Sequence, residues 1–193
     1  MPISAEREYR KAAPFTAQAD GFTVEGYAST FEPYEMYEFE GVKYYERIEP
    51  TAFDGADMSD VIMQYDHAGR VYARQSNGSL ELSVDDHGLA IKADLSRTAG
   101  AKELYDDIAQ GMIKDMSFAF TVASDYFDSE TNTRVITRFK KIFDVSAVSI
   151  PANPTTEIGI SARSYFEGVI EARRLEQAKR EEQIKRIKLL TEV

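Results

Sequence analysis

Cysteine and tryptophan are absent from this 193-residue chain, and histidine occurs only twice. Without cysteine there is no disulfide, no thiol nucleophile and no thiolate metal site, a composition that suits a reducing cytosol. Two histidines leave a zinc site poorly supplied. No stretch approaches the roughly 18 apolar residues of a membrane span, and residues 1–14 lack the apolar centre of an export signal, so a soluble, non-exported protein is expected. Basic charge is also short. Residues 161–193 hold eight Lys or Arg against six Glu, which leaves 15 basic and 27 acidic side chains, a balance of −12, in residues 1–160. Nucleic-acid binding ordinarily shows a basic face, so this acidic part argues against it.

What the chain does have is enough apolar material for a core. It is 43% apolar, with 11 Tyr and 11 Phe, and its length suits one domain plus an extension. Residues 1–20 are mixed and charged, a ragged lead-in, and Gly21 to Phe31 reads as the first strand. Glu32 to Tyr45, crowded with Tyr and Glu around Gly41, is a hairpin or a long surface loop, and Glu49 to Met58 holds a short helix. Asp60 to His67 is a buried strand that emerges at its carboxyl end, followed by a strand over Arg70 to Ser76. Asn77-Gly78 is a two-residue hairpin signal. Leu80, Leu82 and Val84 alternate with polar residues, turn at Asp85 to Gly88, and return with Leu89, Ile91, Ala93 and Leu95 facing in.

Thr98 is a helix cap for residues 99–110, with Ala101, Leu104, Tyr105 and Ile108 on one side and Gly111 as terminator. From Met116 the period changes to two: Met116, Phe118, Phe120 and Val122 share one face, Ser117, Ala119, Thr121 and Ala123 the other. Asp128 to Thr133 turns, Arg134 to Phe139 returns, and Ile142 to Ile150 forms a further strand stopped by Pro151. Six or seven short strands around one internal helix predict an α+β, mainly β fold, a mostly antiparallel barrel or sandwich with helical additions. Residues 161–193 form a charged helix, with Phe166, Val169 and Ile170 at its start and Ile184, Ile187 and Leu190 near its end on a similar azimuth. Such a helix docks on the domain once, or docks at one end and meets a partner at the other.

His67 and His87 are the only imidazoles able to act as a base near neutral pH. His87, between Asp86 and Gly88 in a turn, suits a solvated surface position. His67, at the end of an apolar strand, suits a base, although a lone histidine is more often structural. A third group must orient the ring. Asp66 is adjacent but, as a strand neighbour, points to the opposite face. Asp144 lies in an apolar run where a carboxylate is costly to bury alone; a histidine satisfies it there, and water satisfies it at a strand edge.

Six segments then carry a resemblance in order: Glu25 to Phe31, Glu46 to Phe53, Tyr65-Asp66-His67, Asp85 to Leu89, Gly111 to Phe120 and Asp144 to Ala152. Together they resemble the tailed-phage prohead maturation serine proteases, over about residues 21–156. Departures from the family's common motifs stand at Asp66, Asp115, Ala119 and Asp144. The resemblance implies a herpesvirus assembly-protease-like fold, a β-barrel surrounded by helices, with His67 as the base, Ser117 as the nucleophile and Asp144 as the acidic member. It implies a prohead serine endopeptidase that cuts scaffold segments of the major capsid protein, and itself, during head assembly, with no metal or organic cofactor. The portal and a second copy of the chain are further partners, and the setting is the immature prohead in the host bacterial cytoplasm. The alternatives are an inactive scaffold or assembly protein with the same fold, and an unrelated small ligand-binding barrel. The expected organisation is a lead-in at 1–20, a protease domain at 21–160 and a helical extension at 161–193.

Overall fold

Hydrophobic alternation dominates residues 21–149, and sheets follow from it. In the computed structural model, residues 7–11, 16–18, 21–149 and 157–191 are described. In chain order the elements are β1 (Glu8–Lys11), β2 (Thr16–Ala17), β3 (Thr23–Thr30), β4 (Tyr34–Phe39), β5 (Val42–Ile48), a 3-10 turn (Pro50–Phe53), β6 (Ile62–Tyr65), β7 (Ala68–Arg74), a second 3-10 turn (Gln75–Asn77), β8 (Leu80–Val84), β9 (Gly88–Asp94), α1 (Ala99–Ala109), β10 (Asp115–Asp128), β11 (Thr133–Val148) and α2 (Glu157–Thr191). The larger sheet runs β1-β10-β11-β5-β4, with β6 on β11 and β7 on β6; the smaller runs β2-β3-β9-β8.

The class is α+β and mainly β, but the expected closed barrel is not found among the described residues. The larger sheet ends at β1 on one side and, where β11 branches to β5 and β6, at β4 and β7 on the other, and the smaller sheet is separate. One core joins them. Val24, Ala28, Leu89, Ile91 and Ala93 of the smaller sheet pack with Met63, Met116, Phe118, Phe120, Phe139 and Val145 of the larger, and α1 adds Ala101, Leu104 and Ile108.

Several local expectations hold for local reasons. The β8–β9 hairpin pairs Leu82 with Ile91 and Val84 with Leu89, and the Asp85 carboxylate closes its turn by accepting from the backbone of His87 and Gly88 at 2.8 and 3.0 Å. Thr98 caps α1, accepting from Ala101 N at 3.1 Å. Gly111 ends it at φ +72°, a left-handed conformation that suits glycine. Glu32 to Tyr45 resolves into the β4–β5 hairpin, with Phe39 opposite Val42 and both loop residues, Glu40 and Gly41, at positive φ.

Three expectations need correction. Asn77-Gly78 does not close a hairpin: Gly78 caps a 3-10 turn in the left-handed conformation, and the chain there crosses from β7 in the larger sheet to β8 in the smaller. Arg134 to Phe139 and the run from Ile142 are one 16-residue strand, because four register shifts along β10 and β11 bend the ribbon without interrupting it. Ile150 lies outside the described residues. Finally, residues 8–11, inside the expected lead-in, form an edge strand on β10.

That edge strand is held by buried charge. Arg10 donates to Glu46 at 2.5 and 2.8 Å and to Glu8 at 2.6 Å. Arg134 donates to Glu8 at 2.7 and 3.0 Å, to Glu46 at 3.0 Å and to Asp125 at 2.5 Å. Arg10, Arg134, Glu8 and Glu46 are all buried, and Tyr34 adds a hydrogen bond to Glu46 at 2.5 Å. Burial alone raises a carboxyl pKa, but for Glu8 the Arg10 charge and the Arg134 contacts outweigh it and hold the group at about 2. Glu46 is lowered by the same balance, burial opposed by the Arg10 and Arg134 charges.

The C-terminal helix docks at its start. Phe166 and Val169 are buried, and Phe166 packs with Tyr37, Tyr44 and Phe127. Arg173 reaches Asn132 Oδ1 and the Ser129 carbonyl at 2.9 and 3.1 Å. Farther along, Leu175, Ile184 and Ile187 are exposed. No helix among the described residues is long and apolar enough to cross a membrane.

Candidate active site

Three neighbouring strands of the larger sheet bring the candidate residues together. β10 carries Ser117, β11 carries Asp144, and His67 follows β6. β10 and β11 are antiparallel, with Ser117 opposite Ser146 and Ala119 opposite Asp144. Directly opposed residues share a face, and so do residues two apart on one strand, so Ser117, Ala119, Asp144 and Ser146 lie on one face. β6 joins the other edge of β11 in parallel, with Ile62 beside Asp144 and Tyr65 beside Ala147. The β10 face that carries Ser117 was expected to hold only small residues, but it is also buried: Ser117 and Ala119 are almost wholly inaccessible.

His67 is not the last residue of a strand. It forms, with Asp66, the two-residue loop between β6 and β7, where Tyr65 pairs with Ala68. Both loop residues have positive φ, +48° for Asp66 and +56° for His67. Non-glycine residues in that region carry about 1–3 kcal/mol of strain each. The loop is pinned by Asp66, whose backbone N–H donates to the Ala147 carbonyl at 2.9 Å. Its carboxylate accepts from Ser149 N and Ser149 Oγ, both at 2.9 Å. Asp66 is thus excluded as the ring's partner, not by strand alternation as the sequence suggested but by its commitment to Ser149.

The ring's partner is Asp144. His67 Nδ1 lies 2.5 Å from Asp144 Oδ1. Ser146 Oγ donates to the same oxygen at 2.7 Å. Asp144 is 1% exposed and His67 13%. A carboxylate only accepts, so Nδ1 is the donor in this contact, and the neutral ring then carries its lone pair on Nε2, the tautomer a general base requires. Ser117 Oγ and His67 Nε2 are both buried and neither has a hydrogen-bond partner among the described residues; Asp144 Oδ2 is likewise unpaired. The second link of a triad, base to nucleophile, is therefore open in this conformation. Unpaired buried polar atoms are costly and call for an explanation; a reactive centre awaiting a substrate is one, because such hydrogen bonds often tighten only in the complex.

Sequence reasoning missed two contributors. Ser146 was accessible to it, since Asp144-Val145-Ser146 alternates in a strand and must put both polar side chains on one face. Tyr9 was not: its ring centroid lies 4.6 Å from that of His67, at 64°, but it sits in a charged segment with no local pattern. His87 stays apart, in the β8–β9 turn with its ring against Tyr27 at 4.5 Å. Among the described residues there is no cluster of three or more His, Asp or Glu arranged to hold a metal.

With the geometry in hand, comparison with known proteins is specific on one point. The family described as caudovirus prohead serine protease matches residues 9–169. No curated protein and no solved structure matches the chain.

Proposed function

Since the chain belongs to the caudovirus prohead serine proteases, and is accordingly a serine peptidase, we propose that Ser117 is its nucleophile, His67 its general base and Asp144 the group that orients the base. The observation that carries this reading is the 2.5 Å contact between His67 Nδ1 and Asp144 Oδ1, formed beside two buried, unpaired atoms, Ser117 Oγ and His67 Nε2. A substrate carbonyl entering there meets a hydroxyl and a ring nitrogen that have no hydrogen-bond partner among the described residues.

The reaction is acyl transfer to serine and then to water. Ser117 Oγ attacks the scissile carbonyl carbon while His67 Nε2 takes the hydroxyl proton. The resulting imidazolium, stabilised by Asp144, gives that proton to the leaving amine as the carbon–nitrogen bond breaks. Water then attacks the acyl-enzyme, His67 accepts its proton and returns it to Ser117 Oγ, and the peptide acid departs. Serine is too weakly acidic to react without this proton acceptor.

Proteases of this family act on the capsid proteins of the prohead. The substrate is proposed to be the scaffold segment of the major capsid protein, with self-cleavage following, inside the immature prohead in the host cytoplasm. Residues 1–20, 21–160 and 161–193 are proposed as lead-in, protease domain and helical extension, with β1 of the lead-in added to the sheet. Portal contact and self-association through the exposed part of α2 belong to the same proposal. The test is co-expression with the phage's own capsid protein: the wild-type chain removes the scaffold segment and Ser117→Ala does not. Scaffold removal by Ser117→Ala at the wild-type rate overturns the assignment.

A further inference from the structure

A hydrogen bond at Nδ1 fixes one point of the His67 ring and leaves it free to librate about the line from that point to Cβ. The main chain beneath it is a two-residue loop with positive φ, held through Asp66 to Ala147 and Ser149. The side chain that packs against the ring is Tyr9, 4.6 Å away between centroids and at 64°. Tyr9 comes from β1, beyond β10, where it pairs with Ala119. Ala119 in turn pairs with Asp144. Tyr9, Ala119 and Asp144 thus form one row across three strands on the Ser117 face, with Asp144 holding the His67 ring at one end and Tyr9 meeting it at the other.

The position of Tyr9 is itself enforced. Its two neighbours, Glu8 and Arg10, point to the opposite face, where they enter the buried ion cluster with Glu46 of β5 and Arg134 of β11. Backbone pairing to β10 holds this four-residue edge strand along one side only. The cluster fixes β1 in register from one face, and that register delivers Tyr9 to His67 on the other.

We propose that Tyr9 is a positioning residue for His67, and that the ion cluster around Glu8 and Arg10 is the clamp that holds it in place. The proposal rests on His67 acting as the base. Packing confines the ring to the orientation in which Nε2 faces the Ser117 side of the sheet. Small errors in orientation at such a site cost rate steeply.

The test compares Tyr9→Phe, Tyr9→Leu and Tyr9→Ala in the full chain, reading the rate at which a serine-reactive phosphonate labels the protein and the thermal midpoint. Tyr9→Phe keeps ring and packing and is expected within about twofold of wild type. Tyr9→Leu keeps apolar bulk alone and, with Tyr9→Ala, is expected to label about tenfold or more slowly, a change equivalent to about 1.4 kcal/mol of barrier. The Tyr9→Leu midpoint stays within a few degrees of wild type. Wild-type labelling by Tyr9→Leu, or labelling of Tyr9→Phe as slow as that of Tyr9→Leu, overturns the proposal. Failure of the underlying assignment looks different: Ser117→Ala then labels as fast as wild type, whatever the Tyr9 variants do.

Discussion

Ser117 and Ser146 stand directly opposite one another in the β10–β11 ladder, yet their hydroxyls have opposite commitments. Ser146 Oγ is spent on Asp144 Oδ1 at 2.7 Å, while Ser117 Oγ has no partner among the described residues. Two buried serines on one face therefore differ in what they can do: one is committed to a carboxylate, and the other is the proposed nucleophile.

The first prediction separates them. Ser117→Ala is expected to lower cleavage of a scaffold-derived peptide by about 10⁴ to 10⁶, as loss of a nucleophile does. Ser146→Ala removes one hydrogen bond to a charged group, worth about 1.5–3 kcal/mol, and is expected to slow cleavage by about 10- to 100-fold with KM little changed. Peptide kinetics on both variants, with wild type alongside, make the comparison.

Asp144→Asn is the test of tautomer. An amide that turns its NH₂ to Nδ1 donates to the ring, makes Nδ1 the acceptor and moves the ring proton to Nε2, and Ser146 Oγ can accept from the same NH₂. A loss of about 10⁴ in kcat is expected, with the fold intact. Steady-state kinetics and a thermal melt check it; a variant that keeps a tenth of wild-type kcat contradicts it.

The Asp66–His67 loop makes a prediction about stability. Asp66→Val puts a β-branched residue at φ +48° and removes both contacts to Ser149. A destabilisation of about 2–4 kcal/mol is expected from strain and lost hydrogen bonds together. Asp66→Asn tolerates the left-handed region and retains an acceptor, so its loss is expected to be about 1 kcal/mol or less. Urea unfolding of the two variants measures the difference.

The ion cluster predicts both a mutational and an acid sensitivity. Arg134→Met leaves Glu8, Glu46 and Asp125 short of a buried partner and is expected to cost about 3–5 kcal/mol. Glu8 is held at about 2 against an ordinary value of 4.5. Its folded pKa is depressed, so its contribution is fully present above about pH 4.5 and is lost as pH falls towards 2. The amount is on the order of 3 kcal/mol. Unfolding free energy measured between pH 6 and pH 2 is expected to fall across that window, and Glu8→Gln is expected to flatten this part of the curve.

What the sequence made legible was local. The alternation around Ser117, the Thr98 cap, the Gly111 stop and the β8–β9 hairpin each depend on residues within one or two turns of each other. His67 and Asp144 were legible as candidates because two histidines leave few choices, but their contact spans 77 positions and only folding joins them. β1 was illegible for a physical reason. Glu8 and Arg10 read as part of a mixed, charged lead-in, since a charge is buried only when partners meet it, and apart from each other theirs lie 36 to 126 positions away. The burial of the Ser117 face was illegible for the same reason: small residues on a strand face say nothing of β1, which comes from far along the chain. On either side of Lys140-Lys141 two strands were expected; the register shifts in the ribbon absorb the bend and the strand continues. The barrel expectation failed because strand count and hairpin signals do not fix which edges meet, and here Asn77-Gly78 carries the chain between sheets.

The account stands on Ser117 acting through His67, and the most direct measurement is the mass-spectrometric location of a serine-reactive phosphonate adduct. The prediction is a single adduct on Ser117, lost in Ser117→Ala and reduced at least about a hundredfold in rate in His67→Ala. An adduct on another serine, Ser146 above all, or undiminished labelling of His67→Ala, contradicts it.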